Sequence, residues 1–286
     1  MPSAEDALEL RHALAIGLLQ GPAELLPVSS SAHITLVPWL AGWRYAGIGG
    51  ERRKSFEVAL HAGAGLALTI HMRKQLLRDA AGIDTQRMQV IALALAPPAL
   101  AGYALGGPIE RRLGGPRSIA FGLVAGAAAM AIADGRSGTY VDASSGARTQ
   151  EDATPRDGLT LGLAQTAALM PGVSRNGATL SAARARGFAR DAAQALSWHA
   201  GIPVLFGASL LKGARMRHSG IPRGQRTALA VGAGAAFLST LASAHVLDRT
   251  LREGGPLWPY SLYRLALAAL VFSRLRDPAT RTPTNP

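Results

Sequence analysis

Four stretches without a formal charge constrain this 286-residue chain more than any other feature. Met88 to Ile109, Ser118 to Ala133, Ala192 to Leu211 and Thr227 to Leu247 contain no Lys, Arg, Asp or Glu. Each approaches or reaches the ~20 residues that span a bilayer at about 1.5 Å per residue. A helix lying on a soluble core would show a polar stripe every third or fourth residue, and these stretches lack one. The mean hydropathy of only +0.16 hides this, because the apolar residues are mostly Ala, Leu and Gly and the charges are bunched. The sequence therefore predicts an all-α integral membrane protein rather than a soluble Ala-rich bundle.

The net charge of +12 raises the question of nucleic acid. Nucleic-acid binders gather basic residues on one face and interleave aromatics. Here they fall between the apolar stretches, as in Arg52-Arg53-Lys54, Arg111-Arg112 and Arg215 to Arg226. That is the pattern of loops beside anionic headgroups, so membrane lipids are expected partners and nucleic acid is not. The absence of cysteine excludes a disulfide framework and a thiolate metal site or nucleophile. No cleavable signal peptide is expected: the N-terminus carries Glu5, Asp6 and Glu9 where a basic region would stand.

From His12 to Trp43 the only formal charge is Glu24, and Pro22, Pro27 and Pro38 interrupt the run. One helix of that length would overshoot a bilayer, and a proline cannot donate to the helix ladder. The segment therefore reads as a re-entrant hairpin: a helix to about Gln20, an irregular turn, and a helix from Ser30 or Ser31. Irregular backbone at membrane depth is tolerated only where it is buried in protein or lines a wet cavity. Spanning helices are expected near 56–73, 87–106 and 117–134. A polar stretch follows, then a second broken segment at 158–188 interrupted at Pro171-Gly172, and spans near 193–212, 226–247 and 258–275.

The order repeats, and so do residues within it. Gly17-Leu-Leu-Gln20 resembles Gly162-Leu-Ala-Gln165, Leu26-Pro-Val-Ser29 resembles Met170-Pro-Gly-Val-Ser174, and Leu60-His-Ala-Gly63 resembles Trp198-His-Ala-Gly201. One membrane domain, 1–286, is thus divided into a first repeat at 1–134, a polar linker at 135–157, a second repeat at 158–276 and a tail at 277–286. A hairpin returns to its own side and three spans cross to the other, so the second repeat starts on the opposite face. Such inverted-topology repeats place a site where the two broken helices meet. One side, holding the termini and the loops near 44–54, 110–117 and 212–226, is richer in Lys and Arg. That favours it as cytoplasmic.

The residues able to do chemistry cluster at the two breaks. Gln20 and Glu24 share a helical face. A lone carboxylate in an apolar stretch must be paired, hydrated or metal-bound; it can serve as a general acid or base, or bind a hard cation. Ser29, Ser30 and Ser31 stand at an expected helix start, where they can cap the helix or help bind phosphate. His33 follows as a candidate nucleophile or proton donor. At the second break Arg175 offers a fork of donors suited to phosphate. Gly172, Ser174, Asn176, Gly177 and Thr179 around it would form an anion cradle. Glu57 is read as an orienting partner or an interface residue. His61 and His199 are read as packing the hairpins, without a catalytic role.

Gln20-x-x-x-Glu24, Leu26-Pro-Val-Ser-Ser with His33, Ser55-Phe-Glu-Val58 and Pro171-Gly-Val-Ser-Arg-x-Gly-Ala-Thr179 together resemble the undecaprenyl-diphosphate phosphatases, the bacitracin-resistance family, over most of the chain. The resemblance implies a multi-pass enzyme of the bacterial plasma membrane, with its site opening outward. It would hydrolyse undecaprenyl diphosphate to undecaprenyl phosphate and inorganic phosphate, recycling the lipid carrier of cell-wall (peptidoglycan) synthesis. Mg²⁺ or Ca²⁺ would be the cofactor, and the polyprenyl diphosphate is the expected partner; a homodimer is compatible with this reading. Carried over by position, Glu24 is the acid/base or metal-linked residue with Gln20 beside it, Ser30 and His33 are catalytic, and Arg175 binds phosphate. Gln20 stands where many members carry Glu, Asn176 where Ser is common, and Ala32 where Gly is common. The attacking group is His33, or a hydroxyl or water activated by Glu24. The rival readings are a lipid-phosphate or small-anion transporter using the same cradle, and a non-catalytic scaffold that would leave Glu24 and Arg175 unexplained.

Overall fold

A computed structural model describes residues 8–136, 146–217, 225–251 and 255–277. Parts of the expected linker and of the 212–226 loop, and nearly all of the tail, lie outside them. Among the described residues the chain forms ten α-helices. These are α1 (Leu10–Leu25), α2 (Ser30–Leu40), α3 (Gly50–Ala81), α4 (Thr85–Leu113), α5 (Pro116–Arg136), α6 (Pro155–Ala167), α7 (Arg175–Ala185), α8 (Arg190–Arg217), α9 (Arg226–Leu251) and α10 (Trp258–Arg276). A pair of short helices followed by three long ones thus occurs twice.

By length and composition α4, α5 and α9 are apolar enough to cross a membrane. α3 and α8 run past the expected spans because charged end turns extend them beyond the apolar centre, and α10 matches its expected span to within one residue. Large apolar side chains such as Leu100, Tyr103, Phe121, Leu238, Leu262 and Leu270 point outward, while the interior is rich in Ala. The outer surface of these helices therefore suits lipid better than water.

Prolines inside the helices explain two of the closest contacts. Pro22 lies inside α1, which runs to Leu25 rather than stopping near Gln20. The missing N–H strands the carbonyl of Leu18, and the Ser239 hydroxyl on α9 donates to it. Pro98 in α4 strands the carbonyl of Ala94, and Gln165 Nε2 on α6 donates to it at 2.9 Å. Small residues let the partners approach. A Cβ at Gly17 or Gly21 would strike α9, and one at Gly158 or Gly162 would strike α4.

The end of the second hairpin is fastened by charge. Asp157, buried at the start of α6, accepts from both Nη atoms of Arg148 at 2.6 and 3.1 Å, from Arg186 Nε at 2.6 Å and from the Thr154 hydroxyl at 2.6 Å. Burial pushes its carboxyl up, but these donors outweigh burial and hold it well below its ordinary value of 3.8.

Candidate active site

Both breaks are built the same way. α1 ends at Leu25 and α2 begins at Ser30; α6 ends at Ala167 and α7 begins at Arg175. The residue capping each new helix is a serine with positive φ: Ser29 at 77° and Ser174 at 68°. They are the only non-glycine residues with positive φ among those described. Such a conformation costs roughly 1–3 kcal/mol and persists where the surroundings over-determine it, often at functional sites. The Ser29 hydroxyl accepts from the N–H of Ala32 at 3.4 Å, and that of Ser174 accepts from the N–H of Gly177 at 3.2 Å. The first N–H groups of α2 and α7 thus have no partner within their own helices and carry the positive end of the helix dipole.

Glu24 joins the two breaks. Its carboxylate is buried, with Oε1 accepting from Arg175 Nη2 at 2.8 Å. Oε2 accepts from the Ser30 hydroxyl at 2.6 Å and from Gln20 Nε2 at 3.2 Å. A partly buried ion pair spanning 151 positions of sequence brings the two hairpins together. Asn176 adds a second link, donating to the carbonyl of Leu25 at the end of α1 at 2.7 Å. Its own Oδ1 accepts from Ser197 at 2.8 Å.

A cavity of about 930 Å³ opens from this point. Glu24, Ser29, Ser30, Ser31, Ser174, Arg175 and Asn176 line its inner end. Its flank is apolar, from α4 (Leu95, Ala99, Tyr103) and α8 (Val204, Leu205). Its far end reaches Arg52, Arg53, Lys54 and Glu110, at the start of α3 and the end of α4. There Lys54 pairs with Glu110 at 3.0 Å and Arg53 with Glu57 at 3.8 Å. A phosphate group could meet helix N-termini and Arg175 while an apolar tail lay along α4 and α8.

Five of the expected site residues do not line the cavity, among them Gly177, which packs against the Arg264 guanidinium. Gln20 is fully buried behind Glu24. Gly172 packs on α5, where a Cβ would strike the carbonyl of Ile119. The Thr179 hydroxyl contacts Ser197 Oγ at 2.5 Å and donates to the Arg175 carbonyl at 3.0 Å. His33 lies 2.8 Å from the Ser29 carbonyl through Nδ1 and 2.6 Å from the Tyr263 hydroxyl through Nε2. A carbonyl only accepts, so Nδ1 carries the proton, and the Nε2 lone pair accepts from Tyr263. Both ring nitrogens are committed.

Other residues at the site carry a weaker sequence signal. His61 donates through Nδ1 to the Glu57 carbonyl at 2.7 Å and brings Nε2 to 3.8 Å from Glu24. Rather than only packing the hairpins, it lines the cavity. Gly201 makes room for the Arg175 guanidinium, which a Cβ there would strike. Arg264, a lone cation in the apolar middle of α10, lies under both breaks.

The donor set does not suit a resident divalent cation. Among the described residues no three His, Asp or Glu side chains gather. The one carboxylate at the breaks already accepts from an arginine, a serine and an amide.

Fold and site together define a helical membrane protein with a polar cleft between two broken helices. The chain belongs to the family described as bacitracin resistance protein BacA, whose model matches residues 13–270. It is similar to an undecaprenyl-diphosphatase of Geobacter sulfurreducens, 35% identical over 284 residues, covering 93% of this chain and 100% of the relative. Undecaprenyl-diphosphatases of Marinobacter nauticus (32% identical; 94% and 100% covered) and Thermomicrobium roseum (33%; 91% and 96%) are similar too.

Proposed function

We propose that this protein is an undecaprenyl-diphosphatase, a membrane phosphatase that converts undecaprenyl diphosphate to undecaprenyl phosphate and inorganic phosphate. The observation carrying this is the Glu24 carboxylate, held at 2.8 Å by Arg175 and bonded at 2.6 Å to the Ser30 hydroxyl where two helix N-termini meet a lipid-sized cavity. Phosphoryl transfer asks mainly for positioning and charge stabilisation, and these parts provide both.

In this reading the first-turn N–H groups of α2 and α7, with Ser29, Ser31, Ser174 and Asn176 beside them, receive the diphosphate. Arg175 binds the terminal phosphoryl group. Ser30 Oγ attacks the terminal phosphorus as Glu24 takes its proton; the bond to the bridging oxygen breaks, and undecaprenyl phosphate leaves with that proton on its oxygen, so Glu24 is a carboxylate again. Water that gives a proton to Glu24 then attacks the phosphorus and the Ser30–phosphate bond breaks, with Glu24 returning that proton to Ser30 Oγ, which gives inorganic phosphate and restores the serine. The hydroxyl is favoured over His33 because both imidazole nitrogens of His33 are committed. Gln20, Gly172 and Thr179 support this geometry from behind. Mg²⁺ or Ca²⁺ would enter as the diphosphate's own counter-ion, since divalent ions commonly combine few carboxylates with substrate phosphates.

The fold is read as an inverted duplication, supported by the repeated helix order and the matched serine caps. The same correspondence supports the division at 1–134 and 158–276. The cavity reaches Arg52, Arg53 and Lys54, on the side that charge bias favours as cytoplasmic, whereas the family resemblance implies an outward opening. Outward opening in the plasma membrane is preferred here: Arg52, Arg53 and Lys54 line the cavity, which gives them a role in meeting the anionic substrate. A homodimer is compatible with this reading.

Phosphate release from undecaprenyl diphosphate by the purified protein tests the proposal, with Glu24→Ala and Arg175→Ala beside wild type. Release that both substitutions abolish in folded protein supports it. Lipid binding without release would sink the enzyme reading and promote transport.

A further inference from the structure

Arg264 is fully buried at the middle of α10. Its guanidinium donates to the carbonyls of Pro27 at 3.3 Å, Gly122 at 3.3 Å, Gly172 at 2.7 Å and Val173 at 2.8 Å. Pro27 belongs to the first break, Gly172 and Val173 to the second, and Gly122 to α5. The socket depends on glycine: a Cβ at Gly126 would strike Nη2, and one at Gly177 would come within 3.0 Å of Nη1.

Two consequences follow from these contacts. A broken helix leaves carbonyls without helical donors, and at membrane depth each needs another partner. One guanidinium supplies that partner to both breaks at once. Pro27 stands two residues before the cap Ser29, and Val173 immediately before the cap Ser174, so the same side chain fixes the spacing of the two caps.

The second consequence concerns charge. Arg175 is paired with Glu24 at 2.8 Å and Arg190 with Asp134 at 2.9 Å, whereas Arg264 pairs with no carboxylate among the described residues. A buried charge is ordinarily paired, and carbonyl dipoles compensate it only in part. An anion bound between the caps would complete the compensation.

Resting on the phosphatase reading, we infer that Arg264 is a positioning residue of this site. It ties the two helix breaks together so that both N-termini address one diphosphate, and it supplies the net positive charge that the Glu24–Arg175 pair does not.

The test compares Arg264→Lys, which keeps the charge but loses the fork, with Arg264→Gln, which loses the charge. Gly126→Ala, whose Cβ would displace the guanidinium and also strike the Val173 carbonyl that it binds, is a third, less selective variant. Two quantities are read on folded, detergent-purified protein: kcat and KM for undecaprenyl diphosphate, and equilibrium binding of inorganic pyrophosphate. In Arg264→Lys and Gly126→Ala, kcat should fall about 10- to 100-fold, as expected for a misplacement near 1 Å. Pyrophosphate affinity in the lysine variant should stay within about threefold, while Arg264→Gln loses at least about tenfold. Equal pyrophosphate affinity in the lysine and glutamine variants would overturn the charge role. Wild-type kcat in folded Arg264→Lys would overturn the positioning role, and that variant decides the matter if the glutamine protein does not fold. A purely structural residue would lower stability in every variant while leaving the kinetics of the folded fraction unchanged, which also overturns the inference. If wild type binds pyrophosphate but releases no phosphate from the lipid, hydrolysis fails while the pyrophosphate comparison still stands.

Discussion

Replacing Gly201 by alanine should lower activity by moving Arg175. Gly201 lies in α8, and a Cβ there would fall on Nη1 of Arg175. Ordinary contact between such atoms is near 3.5 Å, so the guanidinium must retreat by on the order of 1 Å or more. The Arg175–Glu24 hydrogen bond, now 2.8 Å, would then pass beyond hydrogen-bonding range. A displacement of that size in a phosphate-binding group costs about 10²-fold in rate, or roughly 2.7 kcal/mol of barrier. Helix propensity offsets only part of the lost pairing. Gly→Ala inside a helix favours folding by roughly 0.5–1 kcal/mol, while leaving a buried carboxylate without its cation costs roughly 3–5 kcal/mol. The expected result is a kcat/KM lowered about 100-fold together with a lowered thermal midpoint in detergent, because the buried Glu24 loses its cation. Phosphate-release kinetics beside thermal unfolding of the same preparation give both readouts. Activity within threefold of wild type would refute the claim that Arg175 must hold its present position.

Two further outcomes follow from the packing and the charges. Ser239→Ala should destabilise the protein by about 1–3 kcal/mol, because the Leu18 carbonyl stranded by Pro22 loses its donor. Adding Pro22→Ala should recover most of the loss by restoring the helical N–H, and thermal unfolding of single and double variants measures the coupling. The lowered carboxyl of Asp157 stabilises the fold above the ordinary carboxylate value of 3.8, and that stability is lost as pH falls below it toward the folded value. Asp157→Asn should therefore unfold more easily than wild type at pH 7 and show a flatter loss of stability between pH 4 and pH 3, read as thermal midpoints across that range.

Much of this architecture can be read from charge placement. A carboxylate and an arginine alone in apolar stretches pointed to Glu24 and Arg175, and they form one ion pair. The positions of Pro27 and Pro171 marked both breaks, because a residue that cannot donate is tolerated only where another group takes its place. Pro22 was less informative: a hydroxyl on a distant helix rescues the carbonyl it strands, and α1 continues to Leu25. Arg264 carries the same signature as Arg175, but its partners are backbone carbonyls, which leave no mark in a sequence. The surroundings of His33 were hidden for a related reason. Tyr263 lies 230 positions away and takes the nitrogen that would otherwise make the imidazole a nucleophile.

The central claim is that Ser30, activated by Glu24, attacks the terminal phosphorus. Phosphate release by Ser30→Ala, beside His33→Gln and wild type, tests it most directly. The account predicts that Ser30→Ala retains less than about 10⁻³ of wild-type kcat, as for loss of an activated nucleophile, while His33→Gln keeps measurable turnover. Ser30→Ala within tenfold of wild type, or a complete loss confined to His33→Gln in folded protein, would contradict it.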